Sequence, residues 1–136
     1  MNVLKKHLVK GNQGIMRAHE FSGSALESRA IFFCRSVVCP KLWVYDHVGF
    51  LLSDGRQIQM SGHRGNDVYI TRAVTDDKEF LPQELQVMGL GRVVSVPTVN
   101  DVGGENCGTF VSNVLKRNGI NFSTAEIYDI FRGGMK

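Results

Sequence analysis

Hydrophobic and polar positions alternate most clearly between Trp43 and Met60, and this alternation predicts a β-hairpin. Val48, Phe50 and Leu52 occupy every second position, so they define one apolar face of the first strand. The polar segment Ser53–Gly55 then supplies turn residues before the chain becomes apolar again.

The length of the hairpin turn decides which side chains share a face. A two-residue turn would place Met60 among polar neighbours, whereas a three-residue turn with a glycine bulge pairs even positions with even positions. The second register keeps one apolar face and brings His47 and Gln59 together on the opposite face. Gly49 lies between His47 and Gln59 on this face. A glycine there leaves room for another backbone, such as a helix end, to approach closely.

Other segments predict helices and further strands around the hairpin. A capping-box pattern at Ser24–Glu27 precedes apolar residues at helical spacing, which predicts a helix from Ala25 to Val38, stopped by Pro40. A second capping box at Ser123–Glu126 predicts a short terminal helix. The remaining expected elements are edge strands within Val3–His19, strands at Asp67–Arg72 and Arg92–Val96, and a helix limited to about Pro82–Met88. Together they predict an α+β fold with one domain over residues 1–136.

A lone cysteine stands where a glycine-bearing loop gives way to an amphipathic helix predicted from Asn106 to Asn118. Asn106 suits the cap position, so Cys107 falls in the first turn of this helix. Unpaired N–H groups and the helix dipole favour an anion there, and a thiolate is such an anion. The apolar stripe directs the cysteine inward; its members are Cys107, Phe110, Val111, Val114 and Leu115.

In a catalytic interpretation, Cys107, His47 and Gln59 would supply a nucleophile, a base and a polar group that orients the base. A cysteine nucleophile needs an imidazole to take its proton, and the imidazole needs a third group to fix its tautomer. Gln59 is neutral, so it cannot stabilise imidazolium as a carboxylate would. In the alternative interpretation, Cys107 is a small buried apolar residue and His47 a strand histidine with satisfied hydrogen bonds.

Charge and hydropathy exclude several classes of partner. The formal net charge is +3, from 16 basic and 13 acidic residues, and no long basic run is present, which argues against nucleic-acid binding. The lysines of the first ten residues precede no long apolar run, so we expect neither a signal peptide nor a membrane span. A cytoplasmic location is expected, with delivery by a dedicated secretion system or by phage lysis left open.

The three cysteines do not suggest a disulfide framework. Their odd number in a chain without a secretion signal predicts reduced thiols. Cys34 and Cys39, with His47 or His63, are an alternative metal site, but structural zinc usually has tighter pairs and four ligands. We therefore expect these cysteines to pack in the core, and we expect the protein to need no metal or organic cofactor.

Two short blocks, His47–Gly55 and much later Asn106–Val111, resemble the circularly permuted papain-like superfamily. Its members include the permuted NlpC-type amidases and peptidases, the lecithin:retinol acyltransferase-like family and the permuted deSUMOylating peptidases. In these families a His-aliphatic-Gly strand comes first and an Asn-Cys dipeptide opens a helix later, which reverses the order in papain. The resemblance implies that Cys107 is the nucleophile, His47 the base and Gln59 the third residue.

This resemblance implies a cysteine peptidase or amidase that acts through an acyl-enzyme on peptides or peptidoglycan stems. The acyltransferase branch commonly has a histidine at the third position and Asn-Cys-Glu-His, whereas this chain has Gln59 and Gly108-Thr109, which favours amide hydrolysis. An acyltransferase or a thioesterase- or lipase-like enzyme of the same fold, and an inactive binding module, are the alternatives. In the implied permuted papain-like fold, the Cys107 helix packs across the His47 face of the antiparallel sheet.

Two more residues are candidates for substrate binding. Tyr45 is expected on the face of His47, where it would line the cleft or donate to an oxyanion, with core packing as the alternative. His63 lies in a glycine-rich loop just past Ser61, where it would contact substrate or replace Gln59 as the third residue. A solvated loop histidine is the alternative interpretation.

Overall fold

The computed structural model describes residues 16–17, 25–61, 67–73, 76–99 and 102–135. Its described strands form one antiparallel sheet, and two helices follow them in the chain. The α+β prediction is therefore confirmed. The strands, which lie in the sheet order β1-β5-β4-β3-β2-β6, are β1 (Met16–Arg17), β2 (Leu26–Ser36), β3 (His47–Leu52), β4 (Gln57–Met60), β5 (Val68–Thr71) and β6 (Phe80–Val96); the helices are α1 (Cys107–Arg117) and α2 (Thr124–Gly133).

Strand β2 replaces the helix predicted from Ala25 to Val38, and that prediction was wrong. The strand pairs with β3 on one side and with β6 on the other, so it lies inside the sheet. Ile31 and Phe33 are buried in the main core, while Phe32 and Cys34 are buried in a second cluster across the sheet. A strand buried on both faces has no polar alternation, and its continuous apolar run satisfies a helical spacing equally well.

Strand β6 replaces the helix predicted at Pro82–Met88, which was also wrong. It is an edge strand of 17 residues and includes the strand predicted at Arg92–Val96. Pro82 falls where the register with β2 shifts, between the Phe33–Gln86 and Arg35–Leu81 pairs. Proline is tolerated at such an edge irregularity because no inner ladder needs its missing N–H.

The hairpin of β3 and β4 has the predicted register. Phe50 pairs with Ile58, and Leu52 N–H donates to the Arg56 carbonyl over 2.7 Å, which leaves three residues in the turn. Gly55 closes the turn with a φ of +89°, a conformation that favours glycine. The strand predicted at Asp67–Arg72 is confirmed as β5. Of the predicted N-terminal strands, only β1 falls within the described residues.

Both helices pack on the face of the sheet that carries Val48, Phe50 and Ile58. The rings of Phe50 and Phe110 meet edge to face with centroids 6.0 Å apart, and Phe131 of α2 meets Phe33 in the same way. The predicted inward stripe of α1 is therefore confirmed.

The described helices are short. The longer of them, α1, has 11 residues, and no helix in the described ranges is long and apolar enough to cross a membrane.

Candidate active site

His47 and Gln59 meet on neighbouring strands, as the hairpin register requires. His47 Nε2 lies 2.5 Å from Gln59 Oε1. His47 is 3% exposed and Gln59 is fully buried. Because a hydrogen bond between buried groups is hard to replace with water, this contact fixes the plane of the imidazole ring.

The hydrogen bonds beyond Gln59 determine its amide orientation. The Thr71 hydroxyl, on β5, donates to Gln57 Oε1 over 3.4 Å, and Gln59 Nε2 donates to the Thr71 oxygen over 3.2 Å. Gln59 Oε1 is thus the acceptor that faces His47, and Nε2 of the ring carries the hydrogen. In a neutral ring with this tautomer, Nδ1 is the nitrogen that accepts a proton.

Aromatic side chains enclose the ring of His47. The Phe80 ring stacks on it with centroids 4.0 Å apart, and the Phe32 ring lies at 6.0 Å. A Cβ on Gly49 would stand 2.7 Å from the Phe32 ring and 3.0 Å from Gln59 Cβ. The space beside Gly49 is therefore taken by Phe32, and the prediction that a helix end approaches there was wrong.

Cys107 is the first residue of α1, and its helix start is held by a reciprocal cap. Asn106 Oδ1 accepts the Thr109 N–H over 3.0 Å, while Thr109 Oγ1 accepts the Asn106 N–H over 2.9 Å. The preceding loop lies against the helix, because a Cβ on Gly104 would stand 2.7 Å from Phe110 Cα. These contacts confirm the predicted cap and fix the position of the thiol.

The thiol of Cys107 lies against the backbone on either side of His47. Its Sγ is 3.9 Å from the Asp46 carbonyl oxygen, and the N–H of Val48 is directed at the sulfur. Burial raises the pKa of Cys107 to about 11; the N–H groups of Val48 and Gly108 oppose this, and the Asp46 charge adds to it. The resting side chain is therefore a neutral thiol at pH 7.

The side of the sheet on which Cys107 lies differs from the sequence-based expectation. Helix α1 and Cys107 pack in the main core, on the face of the sheet that carries Val48. The His47 ring lies on the other face, where it contacts Phe32 and Phe80. The expectation that α1 packs across the His47 face was wrong, because the apolar stripe of α1 takes the apolar face of β3. The thiol lies against the backbone at the start of β3 and not across the face of the strand that carries the His47 ring.

Tyr45 also lies on the α1 side of the sheet. It is 6% exposed, its ring is 5.8 Å from Phe33, and its N–H donates to the Phe131 carbonyl over 3.1 Å. Because Tyr45 precedes the regular pleat of β3, the alternation that predicted its place beside His47 does not extend to it. Asp46, the next residue, accepts the Ser36 N–H over 2.6 Å. These bonds hold the chain entering β3 between β2 and α2.

The remaining sequence candidates are His63, the Cys34 thiol and a metal site. His63 lies outside the described residues. Burial, with the Asp46 charge next, raises the pKa of Cys34, and this thiol is fully buried in the cluster with Phe32. Among the residues that the structure describes, no group of three or more His, Cys, Asp or Glu side chains could hold a metal ion.

The pH dependence of thiol alkylation will check the state of Cys107. In the folded protein we expect its rate with iodoacetamide to rise about tenfold per pH unit between about pH 8 and 10, because the thiolate fraction is still growing. In urea the rise should level off near the ordinary pKa of 9.0. The pKa of Cys107 is higher in the folded than in the unfolded protein, so the neutral thiol contributes to the free energy of unfolding. This contribution is complete below pH 9.0 and is lost as the pH rises through about 11. A plateau already present below pH 7 in the folded protein would contradict a neutral resting thiol.

Sequence reasoning identified Cys107, His47 and Gln59 as candidates, but it missed the polar groups behind Gln59. Thr71 and Gln57 complete the hydrogen-bond chain behind Gln59, and their alternating polar positions on β4 and β5 were the only available signal. Comparison of the chain with protein-family models, with curated proteins and with solved structures gives no match.

Proposed function

We propose that this protein is a cysteine-dependent amide hydrolase, a peptidase or amidase, with Cys107 as nucleophile, His47 as base and Gln59 as the orienting residue. The observations that support the proposal are the buried 2.5 Å contact between His47 Nε2 and Gln59 Oε1 and, separately, a thiol that lies against the backbone of residues 46–48. A hydrogen-bonded tautomer with Nδ1 as acceptor is the form that a general base requires.

The reaction would proceed through a covalent acyl-enzyme. As Cys107 Sγ attacks the amide carbonyl carbon, His47 takes the thiol proton and the carbonyl electron pair moves to oxygen. The carbonyl then re-forms, the C–N bond breaks, and His47 returns the proton to the leaving amine. His47 then deprotonates a water molecule, which attacks the thioester carbonyl carbon. The C–S bond breaks, the carboxylic acid leaves, and His47 returns the proton to the Cys107 sulfur.

The raised pKa of Cys107 affects how the first step occurs. A thiol whose pKa is about 11 is not ionised at rest, so proton transfer to His47 must accompany attack on the substrate. The N–H groups of Val48 and Gly108, which lower this pKa, would support the sulfur as charge develops. The enzyme would therefore use its cysteine as serine hydrolases use their serine.

The substrate class follows from the resemblance of the two motifs, which indicates peptides or peptidoglycan stems. The described groove of about 870 Å³ lies between β6 and α2, and Cys107 is not among its lining residues. That groove therefore gives no support for lipid acyl transfer at the thiol. The expected cytoplasmic location is likewise a proposal from the sequence.

An inactive binding module is the second candidate. It is favoured by the packing of α1 on the face of the sheet opposite the His47 ring. In that case the His47–Gln59 contact would stabilise the hairpin, and Cys107 would serve only as a half-buried packing residue.

Trapping of the acyl-enzyme distinguishes the two candidates. The protein is mixed with p-nitrophenyl acetate, with p-nitroanilides of short peptides, or with peptidoglycan fragments, and then quenched in acid and digested with trypsin. Cys34, Cys39 and Cys107 fall in three different tryptic peptides, so mass spectrometry assigns the acyl group. We expect acylation of Cys107 ahead of Cys39, which is the internal control because it is also half-buried. Equal acylation of the two thiols, with no turnover of any substrate, would support the binding module.

A further inference from the structure

Tyr128 on α2 reaches the start of α1. Its hydroxyl oxygen lies 3.7 Å from the position that a Cβ on Gly108 would have, and Gly108 follows Cys107 directly. Asn106 Oδ1 lies 3.3 Å from the same position. The phenol therefore stands at the first turn of the helix that carries the nucleophile.

The ring of Tyr128 is fixed, but its hydroxyl has no hydrogen-bond partner among the described residues. The ring meets Phe131 edge to face with centroids 5.5 Å apart. Tyr128 is half-buried, and the helix α2 that carries it begins at a capping box. Within the part of the chain that the structure describes, the Tyr128 hydroxyl makes no hydrogen bond. A fixed aromatic ring whose polar end is left unpaired costs little to recruit, because no existing hydrogen bond has to break.

The first turn of α1 already provides one donor. The Asn106 cap uses the N–H of Thr109, and the Phe110 N–H donates to the Asn106 carbonyl over 2.9 Å. The Cys107 N–H lies at the positive end of the helix dipole, where an anionic oxygen is stabilised. A tetrahedral intermediate on Cys107 needs a second donor near this N–H, and Tyr128 is placed at the same turn.

We propose that the Tyr128 hydroxyl donates the second hydrogen bond of an oxyanion hole, together with the Cys107 N–H. This inference rests on the proposed hydrolase function and adds a residue to it. When the Cys107 sulfur bonds to the carbonyl carbon, the carbonyl electron pair moves to oxygen, and Tyr128 donates a hydrogen bond to that oxygen without losing its proton. The hydrogen bond is released when the carbonyl re-forms and the amine leaves.

Tyr128→Phe tests this role because it removes one oxygen and keeps the ring that packs on Phe131. The burst of p-nitrophenol from p-nitrophenyl acetate is followed by stopped flow in the wild type and in Tyr128→Phe, with Cys107→Ala as background. We expect the acylation rate constant to fall on the order of 10²-fold in Tyr128→Phe, with little change in KM. Alkylation of Cys107 by iodoacetamide, which forms no oxyanion, should be unchanged.

The outcomes separate the two proposals. A burst that depends on Cys107 but is equally fast in Tyr128→Phe overturns the role of Tyr128 and leaves the hydrolase standing. A parallel loss of acylation and alkylation also overturns it, because Tyr128 would then act on the thiol and not on the oxyanion. A burst that is the same in Cys107→Ala and in the wild type overturns the hydrolase itself, and the oxyanion role with it.

Discussion

Replacing Cys107 with alanine is expected to lower kcat/KM for ester and amide substrates by about 10⁴-fold or more, because the covalent route is lost entirely. The fold should survive, since the half-buried side chain is small and its loss costs about 1 kcal/mol of unfolding free energy. Steady-state turnover and urea denaturation, measured on the same preparations, check both parts.

Cys107→Ser is the matched variant. It retains the shape of the side chain and its position at the helix start, but a hydroxyl is a much weaker acid than a thiol. With His47 oriented by a neutral amide and not by a carboxylate, we expect serine to restore little of the activity. Turnover in Cys107→Ala equal to that of the wild type would show that the thiol is not the nucleophile.

The elements that sequence analysis predicted correctly are those fixed by local chemistry. The hairpin register follows from three turn residues, and the start of α1 follows from the cap at Asn106, so His47, Gln59 and Cys107 were placed on the right elements. Strand β2 was predicted as a helix because Ser24–Glu27 matches a capping box and the apolar run after it suits either period. Only its pairing with β3 and β6, which is a long-range property, excludes the helix.

The arrangement of the site depends on packing that the sequence does not encode locally. Helix α1 lies on the apolar face of β3 because burial of its apolar stripe there stabilises the fold more than a single contact between Cys107 and His47 would. That choice directs the ring of His47 away from α1 and leaves the thiol at the backbone of β3. The position of Tyr128 beside Gly108 could not be predicted for a similar reason, since the apolar residues around Tyr128 explain α2 without it.

Replacing His47 with alanine is expected to lower kcat/KM by about 10²–10⁴-fold, which is the usual contribution of a positioned general base. With a resting thiol pKa of about 11, Cys107 cannot compensate at pH 7 by ionising alone. We therefore expect the residual activity of His47→Ala to rise steadily with pH, as hydroxide takes over the proton transfer. The pH profile of kcat/KM in the wild type and the variant is the measurement.

Variants of the hydrogen-bond chain behind His47 provide the controls for this interpretation. Gln59→Leu should cause a smaller loss than His47→Ala, because the ring remains but its tautomer is no longer fixed. Thr71→Val should cause a smaller loss of activity still. It removes only the hydrogen bond from Gln59 Nε2 to the Thr71 oxygen, so the amide of Gln59 can rotate. Because His47→Ala also removes the ring stacked on Phe80, added imidazole should restore part of its activity by filling the space. A variant that unfolds more easily but keeps full Cys107-dependent turnover would mean that His47 stabilises the hairpin and is not the base.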